Sequence, residues 1–431
     1  MTIPLLLGAI ADDFTGATDL ANNLVRQGMR TVQTLGLPSG PLPPGTQAVV
    51  VALKTRTVPA ADAVAQSLQA LAWLRTQGAK QLYFKICSTF DSTPAGNIGP
   101  VAEALMEALG TDFCIVTPAF PDNGRTVYMG HLFVGEVLLS DSGMRHHPLT
   151  PMTDANLVRV LQAQCRGRVG RVEHAVVQAG TAALLGRFGE LRAQGVRLAV
   201  VDAITNDDLY RLGPALSALP LIVAGSGVAM ALPANHGLKP SPAVSALPEA
   251  RGGQAVVAGS CSEATRRQVA RFLASGRPGW AVDALQAAAD AQGLAGRLVA
   301  QASAHLADGP VLVYATAEPA VVAAAQAKLG LAQASAAVEA CLAAVTLGLV
   351  QQGARQLVLA GGETSGACVQ ALGVAQLAIG PQIDPGVPWC HAHTPWAGTE
   401  GLHLALKSGN FGDDDFFHRA FSLLKTAPGT P

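Results

Sequence analysis

Little of this chain is charged. Asp, Glu, Lys and Arg make up 14% of its 431 residues, and 29 basic against 30 acidic side chains leave a formal net charge of −1. That balance excludes the basic stripe of a nucleic-acid binder and the acidic run of a solvating tail. It leaves room for a small anionic substrate, because a few cations focused in a cleft do not register in net charge. The sequence also has no Cys-x-x-Cys pair: Cys87, Cys114, Cys165, Cys261, Cys341, Cys368 and Cys390 are scattered and odd in number. Such usage points to a reducing compartment rather than a disulfide framework. No basic n-region precedes the first apolar stretch, and Asp12 and Asp13 end that stretch before it could act as a signal or a span. A cytoplasmic location is therefore expected. Residues 331–350 come nearest to a membrane-length apolar run, but Gln333, Ser335 and Glu339 interrupt it, so a buried helix is expected there. No strand-to-helix turn carries Gly-x-Gly-x-x-G and no Gly-x-Ser-x-Gly elbow occurs, which sets aside a nicotinamide-dinucleotide enzyme and an α/β-hydrolase.

What the chain does have is length and alternation. Its 431 residues exceed what one core usually organises, so two domains are expected. Short β-branched runs alternate with Ala- and Leu-rich helical patterns, the signature of βαβ units around a parallel sheet. Strands are expected at 5–10, 48–53, 81–86, 113–117, 175–178, 198–202 and 221–224, with a hairpin excursion at 128–134. Pro233, Pro240, Pro242 and Pro248 then break all periodicity. A second alternation predicts strands at 255–258, 280–283, 311–315, 356–360, 376–379 and 402–406. The reading is an α/β protein of two domains, each a mostly parallel sheet flanked by helices. One domain is expected over 1–231, a linker over 232–253 and a second domain over 254–425, while residues 426–431 are expected to fray.

The first apolar run feeds into Ala11-Asp12-Asp13-Phe14-Thr15-Gly16-Ala17-Thr18-Asp19. In an open α/β sheet the ligand crevice lies outside the carboxyl ends of the strands. Asp12 and Asp13 thus stand where a substrate hydroxyl or a metal would be met. One of them could serve merely as a helix cap, but Thr15 is also available for that, so at least one carboxylate is expected to have no structural employment. Cations follow the next strands: Lys54 and Arg56, then Lys85, then Arg125 in Pro121-Asp122-Asn123-Gly124-Arg125-Thr126. These suit a carboxylate clamp, Arg as a bidentate fork and Lys as a point charge. Ser88, Thr89, Asp91, Ser92 and Thr93 form a polar loop ahead of a helix starting near Asn97, where capping and ligand contact both fit.

The second half offers glycines instead. Gly361-Gly362-Glu363-Thr364-Ser365-Gly366 runs from a strand into a helix, a layout in which free backbone N–H groups cradle an anion. Gly259-Ser260-Cys261-Ser262 and Ser408-Gly409-Asn410-Phe411-Gly412 follow two other strands. Three such turns at strand carboxyl ends suggest a nucleotide-sized crevice, although each glycine singly could supply only a positive φ. Cys390, His391 and His393, with His403 further on, match no zinc spacing and are expected to lie in a loop. His146 and His147 lie in a polar loop with no spacing that demands a role.

Taken together, residues 11–19, Lys54-Thr55-Arg56, Lys85 to Thr93, Asn123-Gly124-Arg125, Gly361 to Gly366 and Lys407-Ser408-Gly409-Asn410-Phe411-Gly412 resemble the four-carbon acid sugar kinases over almost the whole chain. Within that family the terminal motif is similar to the branch that acts on 3-oxo-tetronates, rather than the D-threonate and D-erythronate branches. The resemblance implies ATP-dependent phosphorylation of the terminal hydroxyl of a four-carbon sugar acid, with a substrate-binding domain at 1–231 and a nucleotide-binding domain at 254–425. It implies Asp12 or Asp13 as acid/base, and Arg56, Lys85, Ser88, Asp91 and Arg125 at the substrate. Ser260, Ser262, Gly361, Gly362, Glu363, Thr364, Gly409 and Asn410 would hold ATP, with Mg²⁺ bridging its phosphates. Closure of the two domains would exclude water. The implied partners are a small sugar acid and ATP, with no nucleic acid and no membrane; a homodimer is an assembly the sequence allows. A nucleotide-regulated sugar-acid binding protein is the alternative of a different class, and paired carboxylates beside an anionic ligand argue against it.

Overall fold

Residues Ala48–Ala52 read Ala-Val-Val-Val-Ala and are buried on both faces, as a strand must be when helices cover both sides of its sheet. A computed structural model describes residues 5–38, 40–147 and 149–424, so the expected fraying at 426–431 falls outside it. The chain divides into two compact units, Met1–Ser245 and Ala246–Pro431. In the first unit the strands are β1 (Leu7–Ala11), β2 (Thr31–Leu35), β3 (Ala48–Ala52), β4 (Gln81–Lys85), β5 (Cys114–Thr117), β6 (Arg125–Tyr128), β7 (His131–Val134), β8 (Val137–Leu138), β9 (Arg168–Val172), β10 (Val196–Val201) and β11 (Leu221–Ala224). Among the described residues eight of these form a parallel sheet in the order β2-β3-β1-β4-β11-β5-β10-β9. The central neighbours β3, β1 and β4 end in register, Ala11 opposite Ala52 and Lys85, so the residues that follow them emerge side by side.

The expected excursion at 128–134 is part of a small antiparallel sheet, β6-β7-β8. Its turn is held from below by Asp202, whose carboxylate accepts the amides of Met129 at 2.8 Å and Gly130 at 2.9 Å.

Two expectations change in this unit. The strand placed at 175–178 is a helix, His174–Gln178, and the strand is Arg168–Val172. A short Val-Val run does not distinguish the two periods. The carboxylate of Asp202 accepts the His174 amide at 3.1 Å, which helps fix a helix start there. Strand β2 was not expected because Thr31, Gln33 and Thr34 read as polar. Gln33 is fully buried all the same: its amide accepts from Thr18 Oγ1 at 2.8 Å and donates to the Phe14 carbonyl at 3.1 Å.

The second unit contains β12 (Gly253–Ala258), β13 (Gly279–Ala281), β14 (Val311–Tyr314), β15 (Ala354–Ala360), β16 (Gln376–Asp384), β17 (Val387–Ala392) and β18 (Leu402–Lys407). Strands β13-β14-β12-β15-β18 are parallel neighbours, and β17 and β16 continue the sheet antiparallel. The antiparallel pair corrects the expected loop at Cys390 and His391. Both are buried in β17, where His391 lies opposite His403 of β18. Pro388 hid the strand, since proline usually argues against a central one. Aromatic residues are few in the chain, yet Phe272, Trp389, Phe416, Phe417 and Phe421 gather in one core under this sheet. Each fully buried ring there contributes roughly 1.5–3 kcal/mol.

The helix Leu331–Gln351 has the length and composition to cross a membrane. Cys341, Leu342, Val345, Leu349 and Val350 in its second half are buried, while most of its first ten residues are exposed. The expected burial thus holds for the second half.

Gly28, just past the end of the helix Phe14–Arg26, has φ +90°, and a Cβ there would stand 1.9 Å from the Lys239 carbonyl oxygen. Gly28→Ala is expected to destabilise the protein by about 1–3 kcal/mol. Urea denaturation should show a lower midpoint at unchanged slope.

Candidate active site

The acidic pair sits where β1 ends and the helix Phe14–Arg26 begins. Asp13 is the N-cap: its Oδ1 accepts the Gly16 amide at 3.0 Å, and Thr15 Oγ1 donates to its Oδ2 at 2.8 Å. Thr15 therefore supports the cap and does not replace it. Asp12 is buried and meets Arg56 as a two-pronged pair, Nε to Oδ2 at 2.9 Å and Nη2 to Oδ1 at 2.8 Å. The same Nη2 donates to Asp13 Oδ1 at 2.7 Å, and Nη1 lies 3.9 Å from Asp91. Both carboxylates thus have structural partners, contrary to the expectation that one would be idle. Nε and Nη2 of the Arg56 fork are thus engaged by these acids. The backbone is engaged too, since the amides of Thr55 and Arg56 both donate to the Asp12 carbonyl, at 3.0 and 3.1 Å.

Lys85 closes β4 with its side chain buried, and Nζ donates to the Ile86 carbonyl at 2.7 Å. In the following loop Ser88 is buried and Thr89 Oγ1 donates to Asp91 Oδ1 at 2.6 Å. Arg125, at the start of β6, donates to the Asn123 carbonyl and is near enough to Asp19 and Asp91 to feel their charge. Asp12, Thr55, Arg56, Asp91, Ser92 and Asn97 line one small recess at this edge.

Electrostatics separate the two acids. Burial raises the pKa of Asp12 above the ordinary carboxylate value, against the pull of Arg56. Asp13 is equally desolvated, but Arg56, Lys85, Thr15 and the Gly16 amide outweigh that and hold its pKa down. Asp19, one turn into the helix, was quoted in the motif but given no role. Its Oδ2 accepts from Ser226, its Oδ1 has no hydrogen-bond partner, and burial lifts its pKa to about 6 despite Lys85.

In the second unit the three glycine- and serine-bearing turns meet at the carboxyl ends of the adjacent strands β12, β15 and β18. Gly361, with φ +121°, precedes the helix Gly362–Ala371, and its amide donates to the Lys407 carbonyl at 2.8 Å. Gly362, Glu363 and Thr364 form the first turn, the end of a helix that favours an anion. Ser260 N donates to the Ala360 carbonyl at 3.3 Å, tying the β12 turn to β15. A Cβ on Gly259 would stand 2.0 Å from Thr364 Oγ1, and one on Gly409 2.2 Å from Ser260 Oγ, so these turns touch only because they are glycine. Ser262 caps the helix Glu263–Ala274 and also donates to the Gly409 carbonyl at 2.6 Å. Asn410 is exposed beside it.

Lys407 was quoted in the motif without a role, and Thr265 and Gln268 were passed over. Their side chains all donate to the loop after β18. The signal that marked Lys85, a lysine ending an apolar strand, was present at Lys407 as well. All seven cysteines are free thiols. Burial pushes Cys87 and Cys341 up to about 11 and Cys165 and Cys368 up to about 12, and raises Cys114 and Cys390 further, whereas Cys261, between Ser260 and Ser262, is exposed.

A sugar-binding N-terminal domain family matches residues 7–232, and a nucleotide-binding C-terminal domain family matches 255–417. The chain is 56% identical to the 3-oxo-tetronate kinase of Cupriavidus necator over 97% of both chains. It is 55% identical to the 3-oxo-tetronate kinase of Burkholderia multivorans over 98% of both. Among solved structures, a Salmonella typhimurium LT2 protein superposes with a TM-score of 0.85 at 45% identity, covering 96% of this chain and 98% of that one. A Haemophilus influenzae protein gives a TM-score of 0.76 at 44% identity, covering 97% and 100%.

Asp19 generates a pH prediction. Its carboxyl keeps a proton up to about pH 6 in the folded protein, against an ordinary value of 3.8. Its contribution to stability is therefore full below the lower value and is lost as pH rises through the higher one. Between pH 4 and 6.5 the wild type should lose up to about 3 kcal/mol relative to Asp19→Asn. Urea unfolding of both proteins across that window checks it, and a pH-independent difference would refute it.

Proposed function

The chain belongs to the four-carbon acid sugar kinase family, and we propose that its reaction is transfer of the γ-phosphoryl group of ATP to the 4-hydroxyl of a 3-oxo-tetronate. The observation that carries this reading is near full-length identity with the two 3-oxo-tetronate kinases named above. The site chemistry supports it: one unit offers a buried acid pair held by arginine, and the other a row of glycine- and serine-bearing turns.

Asp12 is the base in this reading. Desolvation makes its carboxylate more basic than Asp13's, so it accepts the hydroxyl proton more readily as the oxygen attacks phosphorus. Asp13 stays ionised, caps its helix and, through Arg56, fixes the orientation of Asp12. Because Nε and Nη2 of Arg56 are engaged by these acids, Arg125 supplies the charge for the substrate carboxylate, with Ser88 and Asp91 beside the sugar hydroxyls. Lys85 is buried and acts on the acids by its charge rather than by touching substrate.

Ser260, Ser262, the first turn from Gly362 to Thr364, and the Gly409–Asn410 backbone hold the nucleotide through neutral donors. Such positioning is most of what phosphoryl transfer requires of a protein. Mg²⁺, when bound, would supply neutralisation of charge on the transferring phosphoryl group. Among the described residues no three His, Cys, Asp or Glu side chains are grouped as metal ligands. Seven free thiols fit a reducing, cytoplasmic setting.

A coupled assay of ADP release over 3-oxo-tetronates, D-threonate and D-erythronate tests the assignment. Turnover is expected with a 3-oxo-tetronate, and preference for either of the other acids would move the chain to another branch. Asp12→Asn should lower kcat by roughly 10²–10⁴-fold while ADP affinity stays within about twofold. Near-normal turnover would remove Asp12 from the acid/base role. Arg56→Ala should also lower kcat, since it leaves a buried acid pair uncompensated at a cost of about 3–5 kcal/mol. It should raise the KM for the sugar acid more than that for ATP.

A further inference from the structure

Lys407 ends β18 with no exposed surface, and its hydrogen-bond partners are all neutral. Nζ donates to the carbonyls of Ser408 at 3.0 Å, Gly409 at 3.1 Å and Phe411 at 3.0 Å, with Thr265 Oγ1 at 3.3 Å. An ammonium has three N–H donors, and three backbone carbonyls converge on this one. Gln268 extends the pattern, its Nε2 lying 3.0 Å from each of the carbonyls of Phe411, Gly412 and Asp413, which share its two N–H donors. The Gly409 carbonyl is further held by Ser262 at 2.6 Å and Thr265 at 2.8 Å. Such a loop is turned with its acceptors toward the protein.

The peptide group is planar and trans, so a carbonyl drawn inward carries the amide of the next residue outward. Inward carbonyls at Ser408, Gly409 and Phe411 therefore put the amides of Gly409, Asn410 and Gly412 on the opposite side of the loop. Gly409 lies against Ser260, with no room for a Cβ between them. We propose that Lys407 is the positioning residue of the nucleotide site: by gathering the carbonyls of this loop it turns a row of backbone amides toward the phosphates of ATP. A loop with its carbonyls facing outward would instead repel a polyanion. The charge on Lys407 adds to the effect, because the carboxylate it feels, Asp384, is itself paired with Arg419 at 2.9 Å. Burial without a carboxylate of its own pulls the ammonium down to about 7, which a bound polyanion would oppose.

This role rests on the nucleotide assignment made above, and calorimetric titration of ADP separates the two. Wild type, Lys407→Met and Lys407→Gln are compared, with folding checked by circular dichroism. ADP affinity should fall roughly ten- to hundredfold in Lys407→Met and less in Lys407→Gln, whose amide keeps two donors. The KM for the sugar acid should stay within about twofold of wild type in both, a split that general destabilisation would not produce. Hydrogen–deuterium exchange on wild type needs no variant: ADP should slow exchange across residues 408–414. If wild type binds ADP while the folded variants bind it equally well, or the loop amides exchange unchanged, the positioning role is wrong. If wild type binds no ADP, the nucleotide assignment itself fails and takes this role with it.

Discussion

Two carboxylates on consecutive residues cannot both be buried and ionised without a cation between them, and the first unit depends on Arg56 for that. The arginine reaches them because β3 lies beside β1 in parallel register, so the residues after Ala52 emerge next to those after Ala11. Strand order therefore sets the electrostatics of the site. The same neighbour relation on the other side of β1 brings in Lys85 from β4. The result is a pair of chemically identical acids made unequal, one more basic and one less, by partners drawn from three strands.

The second unit solves a related problem with the opposite economy of charge. In the proposed reading its turns approach a polyanion with backbone rather than side-chain cations. Glycine at 259, 361 and 409 lets three turns close on one another without side chains in the way. Lys407 faces the carbonyl side of the loop after β18. Both units thus end an apolar strand with a buried lysine, Lys85 or Lys407, that acts on its surroundings without reaching solvent.

Much of this was legible in the sequence because apolar strands ending in polar loops announce both the sheet and its functional edge. The strands carrying Asp12, Arg56, Lys85, Ser260, Gly361 and Gly409 were placed within a few residues of their observed ends. What escaped was polar or interrupted: β2 with its buried Gln33, β9 with its arginines, β17 with Pro388. Their side chains are satisfied by partners distant in sequence, as Gln33 is by Thr18 and Phe14, and no local window shows that. The partnership of Arg56 with Asp12 was hidden for the same reason. Arginine at a strand end reads equally as a ligand clamp or as a counter-charge, and only the observed register shows its pairing with Asp12 and Asp13. Asp19, Ser226, Thr265 and Gln268 went unassigned because their roles are contacts with other segments rather than features of their own neighbourhoods.

Six of the seven thiols are wholly or partly buried and hard to ionise, while Cys261 stands exposed between Ser260 and Ser262 on the turn after β12. Nature has in effect left a single chemical handle on this protein. A fluorophore or a trifluoromethyl tag attached through maleimide or bromoacetamide chemistry would go to that one position under mild conditions, with no cysteine-free background to engineer. It would sit among the glycine- and serine-bearing turns of the second unit and so report occupancy of that edge by light or by ¹⁹F resonance in the otherwise native chain.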